Sequence, residues 1–320
     1  MPDASASCNC KRAQCVTNHP HAAASPLSPI GARRRLGAEL RRLRTTAGLT
    51  LDDVAERMTC STSKISRLET GKGVPKVPDV SELMRIYGLD SDTERALLLR
   101  LVRDGREHGW WETYTEGVQS EPHFLDRPGR YASLENDARR VRCFDFTSVH
   151  GLLQTEDYMR AVFARVLVHH TAEDVDRLVA LRTRRQQALV RQVPRPLELV
   201  AVMDEVVLRR PVGGAAVMAA QLDRLVEVGR LPNVTVHVVP HEAGILRAHA
   251  GQFVLLDIPT ELGSDIVFVE GHAGDSYLDS DADLALYQEV FADALASALS
   301  PRASAELIGG YRAVLGGERG

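Results

Sequence analysis

The sequence predicts two folded parts, an N-terminal all-α domain of five helices and an α+β domain after it. Apolar residues three and four positions apart, interrupted by turn residues, fill the first part. From residue 197 onward, β-branched runs such as LELVAVM, VTVHVVP, GQFVLLDI and DIVFVEG predict strands. We expect a disordered tail at 1–30, the helical domain at 31–108, a connector at 109–130 and the α+β domain at 131–317.

Start and stop signals delimit the helices of the first part. Thr50 with Asp53 predicts a capping box, and Ser61 is placed to cap the next helix. Gly48 occupies the position of a left-handed helix C-cap. Residues 134–192 return to helical patterning, as do 214–229, 281–299 and 301–315.

Charge is distributed unevenly along a chain whose net charge is −4. Residues 31–76 hold eleven Lys/Arg against five Asp/Glu, a net charge of +6, so the remainder carries −10. Residues 248–301 contain ten Asp/Glu and no Lys or Arg. A basic segment on an acidic body indicates that one part meets a polyanion, while the acidic stretch is most simply a solvated surface.

Several classes of protein are disfavoured by the sequence. No apolar run approaches the roughly 18 residues of a membrane span, and no secretory signal is recognisable, so we expect a cytoplasmic protein. The N-terminal tail could hold zinc through Cys8, Cys10, Cys15, His19 and His21. Its Cys-x-Cys spacing is tight and it lacks apolar residues, so chance clustering is the preferred interpretation, and we expect neither metal nor cofactor.

The stretch CSTSKISRLETGKGVP, residues 60–75, carries the main functional signal. On a helix over 61–69, Ile65 and Leu68 define the buried direction, and Ser63 and Arg67 then point away from it. A helix with short polar side chains fits the major groove, where Arg suits guanine or phosphate. The candidate base contacts are Thr62, Ser63, Lys64, Ser66 and Arg67.

Phosphate contacts are expected from the basic residues upstream of this helix. The first helix contains Arg33, Arg34, Arg35, Arg41, Arg42 and Arg44. The candidate phosphate contacts are Arg41, Arg42, Arg44, Thr50 and Lys72. The alternative is a small helical domain whose basic face is merely solvated, and the geometry alone does not decide between the two.

The residues LRTTAGLTLDDVAERMTCSTSKISRLETGKGVPKVPDVSELMRIYGL resemble the XRE (Cro/repressor-like) helix-turn-helix family. The resemblance implies that 61–69 is the recognition helix of a transcription regulator that binds double-stranded DNA. Two positions depart from the family pattern. Leu51 stands where many relatives have Gln contacting the DNA backbone, and Thr59 stands where many have Gly.

The second part resembles a domain of unknown function that follows XRE modules in actinobacterial, antitoxin-like regulators. YASLENDARRVRCFDFTSVHGLLQTEDYMRAVF, LPNVTVHVVPHEAG and ALSPRASAELI carry this resemblance, with His150 where relatives usually have Pro. The candidate catalytic groups His150, His237, His241, His249 and His272 show no recognisable spacing, so we expect no enzyme and no catalytic residues.

Two hypotheses of function remain open. In the first, a dimeric, sequence-specific regulator binds a near-palindromic operator, and its second domain receives a signal. In the alternative, the protein binds a small cognate protein encoded nearby and autoregulates its own operon. Trp110, Trp111 and Tyr114 at the junction most simply lock the domains together, with a ligand pocket as the alternative. The Arg-rich segment 173–192 is either a helix docked on the sheet or a dimer seam.

Overall fold

The computed structural model of the protein describes residues 27–118, 128–193, 195–271 and 274–317. The N-terminal part is helical throughout. Its helices are α1 (Pro29–Thr46), α2 (Leu51–Arg57), α3 (Thr62–Glu69), α4 (Val77–Ile86) and α5 (Asp92–Asp104), followed by the short α6 (Glu112–Thr115).

Helix α1 begins within the segment that we expected to be a disordered tail. Ser28 is its N-cap, and the Ser28 hydroxyl accepts a hydrogen bond from the Gly31 N–H at 3.0 Å. Ser28 is itself buried, because its N–H donates to Asp137 Oδ1 at 3.0 Å and its hydroxyl lies 2.7 Å from that of Ser133. The expectation was therefore wrong for residues 27–30, and residues 1–26 lie outside the described part of the chain.

The five helices α1, α2, α3, α4 and α5 share one apolar core. The α1 residues Leu36, Leu40 and Leu43 are buried against Val54 of α2 and Ile65 of α3. The expected caps are present, with the capping box of Thr50 and Asp53 opening α2 and Ser61 capping α3. Ala47 is exposed, because α1 ends at Thr46 and the chain turns at Gly48 with φ +69°.

Two glycines let α1 and α3 approach closely. A Cβ on Gly37 would lie 2.6 Å from the carbonyl oxygen of Leu68 and would also overlap that of Glu69. Gly71, which follows α3, adopts φ +68°, and a Cβ there would lie 2.9 Å from Arg34 Cα. The packing distance between the two helices therefore depends on missing side chains at both positions.

The turn between α2 and α3 contains a backbone conformation that favours glycine. Thr59 has φ +49° and is the only non-glycine residue with positive φ in the described part of the chain. The Thr59 N–H donates to Glu56 O at 3.1 Å, and the Cys60 N–H donates to Ala55 O at 2.9 Å. The turn thus keeps the left-handed geometry although a β-branched residue occupies it.

The second part combines a mixed sheet with helices. Its helices are α7 (Pro128–Asp137), α8 (Glu156–Val166), α9 (Ala172–Gln186), α10 (Val206–Arg209), α11 (Ala215–Val228), α12 (Asp281–Ser297) and α13 (Pro301–Gly317). The strands are β1 (Arg140–Asp145), β2 (Glu198–Asp204), β3 (Val234–Val239), β4 (Phe253–Asp257), β5 (Ile266–Val269) and β6 (Ser276–Leu278). The predicted α+β architecture is confirmed, although β1 interrupts a stretch that was expected to be helical and β6 was missed.

The sheet has the strand order β3-β2-β1-β4-β5-β6, with β1 in its interior. The strands β1, β2 and β3 run parallel, whereas β4 is antiparallel to β1 and starts the antiparallel half. Apolar residues cover both faces. Cys143, Ala201 and Met203 pack toward α11 and α13, while Phe144 and Val202 pack toward Phe291 of α12.

The junction between the two parts is packed. Trp111 is buried among the α8 and α9 residues Met159, Phe163 and Leu178, so this ring packs the connector onto the second part of the chain. Helix α9 buries Leu178, Val179 and Leu181 against residues of α7 and α8, so its apolar face is docked on neighbouring helices and not on the sheet as expected. In the described residues, no helix is long and apolar enough to cross a membrane.

We expect Gly37→Ala to destabilise the helical part by about 3 kcal/mol, because the new methyl group would meet backbone oxygens that cannot move away without separating α1 from α3. Urea denaturation monitored by circular dichroism measures the change in the free energy of unfolding. Gly309→Ala is the matched control, since nothing lies within 4 Å of a Cβ there and alanine is the better helix former. Equal stability of the two variants would contradict the close approach at Gly37.

We expect Thr59→Gly to stabilise the protein by about 1 kcal/mol, because glycine adopts φ +49° without the steric penalty that threonine carries. The same denaturation measurement applies. Thr46→Gly serves as a control at the last residue of α1, where glycine should destabilise. A loss of stability in Thr59→Gly would show that the threonine side chain is needed in the turn.

Candidate nucleic-acid interface

Helices α2 and α3 form a compact helix-turn-helix. Only four residues separate Arg57 from Thr62, and Val54 and Ile65 are both buried in the shared core. The side chain of Ser61 accepts a hydrogen bond from the Lys64 N–H at 3.3 Å, which fixes where α3 begins. Local capping and shared burial therefore hold α3 with Ile65 and Leu68 inward.

The outward face of α3 is small and polar. Ser63, Lys64 and Arg67 are exposed, and Thr62 and Ser66 are half-buried. The side chains of Ser63 and Arg67 have no hydrogen-bond or ion-pair partner among the described residues, so both are available to a ligand. Lys64 pairs with Asp79 at 3.0 Å between Nζ and Oδ1, and the Thr62 hydroxyl donates to Asp52 Oδ1 at 2.7 Å.

The candidate phosphate contacts have different surroundings. Arg41, Thr50 and Lys72 are exposed, with Thr50 engaged as the N-cap of α2. Arg42 is exposed as well, although it bonds Glu39 at 2.8 Å and Glu94 at 2.9 Å. Surface pairs of this kind contribute little stability, so Arg42 can exchange them for a phosphate.

Arg44 has a structural position that the sequence did not reveal. Its guanidinium binds both carboxylate oxygens of Glu69, at 2.7 and 3.0 Å, and donates to the Leu49 carbonyl oxygen at 2.8 Å. Only 13% of the Arg44 side chain and 6% of the Glu69 side chain are exposed. Arg44 therefore joins α1 to the end of α3, and a phosphate would have to compete with Glu69 for its guanidinium.

The upstream arginines Arg33 and Arg34 also turn away from solvent. Arg33 Nε donates to the Gly105 carbonyl oxygen at 2.5 Å. Arg34 donates to the carbonyl oxygens of Leu262 at 3.2 Å and Ser264 at 2.5 Å, both in the second part of the chain. Arg33, Arg34 and Arg44, half of the six arginines of α1, thus bond other parts of the protein.

Three of the five candidate histidines, His150, His237 and His249, bond the backbone or a neighbouring carboxylate. His249 Nε2 donates to Asp204 Oδ2 at 2.9 Å, since its Nδ1 accepts from the Leu246 N–H at 2.8 Å. His150 Nδ1 accepts from the Leu152 N–H, and burial lowers the pKa of His150 to about 4. His237 lies 3.0 Å from the Leu299 carbonyl oxygen, His241 is exposed, and His272 lies outside the described residues.

A small polar cavity of about 180 Å³ lies where β1 ends and β4 begins. Asp145 Oδ2 and the Tyr131 hydroxyl line it, and both are buried without a hydrogen-bond partner among the described residues. Burial raises the pKa of Asp145 to about 7; a hydrogen bond with the Cys143 side chain opposes the shift, and the charge of Glu270 adds to it. Arg185 beside them is held by both carboxylate oxygens of Glu135, at 2.8 and 2.7 Å.

The described residues contain no group of three or more His, Cys, Asp or Glu side chains placed to hold a metal ion. The cysteine and histidine positions of the N-terminal tail, Cys8 to His21, lie outside them.

Family models match both parts of the chain. A domain of unknown function (DUF5753) matches residues 128–310, which is more than half of the chain. The chain belongs to the DUF5753 family. A helix-turn-helix domain matches residues 35–98, which contain α2, α3 and the candidate base contacts. The protein is thus a DNA-binding regulator of the XRE-like type with a C-terminal DUF5753 domain. No curated protein and no solved structure matches the chain.

We expect Asp145→Asn to stabilise the DUF5753 domain increasingly as the pH rises. The folded-state pKa of about 7 lies above the ordinary value of 3.8 for an aspartate, so the folded wild type loses stability as pH rises between these values. Asparagine cannot ionise, and its advantage should grow from near zero at about pH 4 to as much as about 4 kcal/mol above pH 7.

Urea denaturation of both proteins across this pH range measures the difference. Asp293→Asn, at an exposed position of α12, is the control and should show no such trend. A gain that is the same at every pH would contradict the buried, unpartnered carboxylate.

Proposed function

We propose that this DUF5753 protein is a dimeric transcription regulator that reads the DNA major groove with α3 and acts in the cytoplasm. The observation that carries the proposal is the outward face of α3, where Ser63 and Arg67 are exposed without protein partners. A surface built from short hydroxyl side chains and one guanidinium can approach base edges closely and still discriminate between them.

Base reading is assigned to Thr62, Ser63, Lys64, Ser66 and Arg67. Arg67 has the planar donor fork that matches guanine O6 and N7, and the hydroxyls are short enough for close approach. Lys64 would exchange Asp79 for the DNA, because an exposed ion pair is weak. Arg41, Arg42, Thr50 and Lys72 are proposed to contact phosphates, which fix the position of the domain on the duplex.

A two-fold dimer is proposed because one helix-turn-helix reads only a half-site. Two copies related by a two-fold axis then bind a near-palindromic operator, with half-sites about one helical turn apart.

The DUF5753 domain is proposed to receive the signal that controls DNA binding. Its contact with α1 through Arg34 gives it a direct connection to the helix-turn-helix domain. Exposed carboxylates on α12, among them Asp281, Glu289 and Asp293, support the alternative signal, a small basic protein partner.

In vitro selection from a random duplex library tests the proposed function directly. Purified full-length protein should enrich a sequence made of two inverted half-sites. If no sequence is enriched, and binding to all duplexes is equally weak and steeply salt-dependent, the specific-regulator proposal fails.

For the enriched duplex, we expect Arg67→Ala to weaken binding by about 1–3 kcal/mol, with unchanged helix content. The loss should be much smaller on scrambled DNA, because only the base contact is sequence-specific. Fluorescence anisotropy over a range of salt concentrations measures both affinities.

Arg100→Ala is the matched control, since it removes one arginine from the exposed surface of α5 without touching α3. Equal losses for Arg67→Ala on the enriched and scrambled duplexes would mean that Arg67 contributes charge and reads no base.

A further inference from the structure

A cavity of about 600 Å³ lies between the helix-turn-helix domain and the DUF5753 domain. Helix α1, the end of α3 and the turn after it form one side, and α7, β5 and β6 form the other. Its volume falls within the range of small-molecule sites in proteins, which is roughly 300–1,000 Å³. A ligand bound between two domains can also couple the position of one domain to that of the other.

The walls of the cavity are strongly positive. Arg33, Arg34, Arg67 and Lys72 contribute cations from the helix-turn-helix domain, and Arg130 contributes one from the DUF5753 domain. Among the lining residues that the structure describes, Asp279 is the only carboxylate. A protein with a net charge of −4 thus concentrates five cations around one cavity, which favours a multiply charged anion.

Arg34 is the most deeply placed of these cations. Its guanidinium donates to two carbonyl oxygens and forms no ion pair with a carboxylate in the described part of the chain. Burial lowers the pKa of Arg34, which means that the protein surroundings disfavour its charge. Asp279, Asp137 and Asp265 lie near enough to favour the charge of Arg34 without forming an ion pair with it, and an anion in the cavity would favour that charge further.

The remaining lining provides apolar surface. Ile30, Trp111, Leu134 and Ile266 contribute to the walls, and Arg130 stacks on Tyr277 with its Cζ atom 3.8 Å from the ring centroid. Charged groups that converge beside apolar surface in one cavity suit an organic anion. Arginine forks suit phosphate oxygens, and several cations together suit more than one phosphate charge.

We propose that this interdomain cavity binds a small phosphorylated molecule, and that the bound molecule competes with DNA for Arg67 and Lys72. The second half of this proposal rests on the proposed function, because it requires these two residues to contact DNA. Binding of the phosphorylated molecule to the cavity does not depend on the proposed function. The whole proposal gives the DUF5753 regulator a ligand class and a physical route by which that ligand releases the duplex.

Isothermal titration calorimetry of the full-length protein with sodium pyrophosphate, without DNA, tests the site. We expect one bound pyrophosphate per chain, and we expect Arg130→Ala to weaken it about tenfold or more. Arg130→Lys should restore much of the affinity, and Asp279→Asn should increase it, because one substitution keeps the cation and the other removes the carboxylate. Arg100→Ala is the control for the loss of one positive charge.

Two results would overturn the site. One is the absence of binding up to about 1 mM pyrophosphate at low salt. The other is binding that Arg130→Ala and Asp279→Asn leave unchanged, which would place the anion elsewhere on the protein. If pyrophosphate does not bind while Arg130→Ala weakens DNA binding, the phosphate that the cavity recognises belongs to the DNA backbone, and the small-molecule proposal is wrong.

A second arm measures anisotropy of the enriched duplex with added pyrophosphate, against sodium chloride of equal ionic strength. Competition predicts that the apparent Kd for DNA rises in wild type and rises far less in Arg130→Ala. If pyrophosphate binds in the calorimeter but the Kd for DNA does not change, the competition part of the proposal is wrong and the binding site stands. Calorimetric binding by a protein that selects no DNA sequence would overturn the proposed function and leave the site as well.

Discussion

The placement of helix α1 is the constraint on which the rest of the structure depends, because this helix belongs to two packing systems at once. Leu36, Leu40 and Leu43 bury one side of it in the helix-turn-helix core. Its N-terminus is held in the DUF5753 domain, where Ser28 bonds Asp137 and Ser133. Burial raises the pKa of Asp137, and the hydrogen bonds donated by Ser28 oppose this shift by stabilising the charged form. A rigid helix fixed at both places sets the orientation of α3 relative to the sheet domain.

This arrangement separates the basic residues by function, although the sequence presents them as one cluster. Arg41 and Arg42 stay on the solvent side of α1. Arg44 is bound to Glu69 and joins α1 to the end of α3. Arg34 faces carbonyl oxygens of the DUF5753 domain and the interdomain cavity. The composition suggests that the positive charge of this segment binds a polyanion. In the structure this charge is divided among the solvent-facing side of α1, an internal ion pair and a cavity. This division places Arg34 of α1 in direct contact with the DUF5753 domain.

Interactions between residues close in the sequence explain what could be predicted. The caps at Thr50 and Ser61, the left-handed Gly48 and the inward direction of Ile65 and Leu68 all depend on residues within about one helical turn. Strand β1 escaped the prediction because its two arginines look like surface helix residues. Arg140 and Arg142 instead both pair with Asp257 on the adjacent β4, at 2.6 Å each, and no local pattern indicates a partner more than a hundred residues away.

The helix-turn-helix, its outward residues and the order of the two domains could all be predicted from the sequence. Periodicity, capping and turn chemistry are local, so these features depend on residues close together in the chain. Only the tertiary structure decided which arginines remain free, where Asp145 is buried and that a cavity lined by cations lies between the domains. These features depend on burial and on pairs of residues far apart in the chain. The sequence states which side chains are charged. The packing of both domains against α1 decides whether such a side chain faces water, a carboxylate or a cavity.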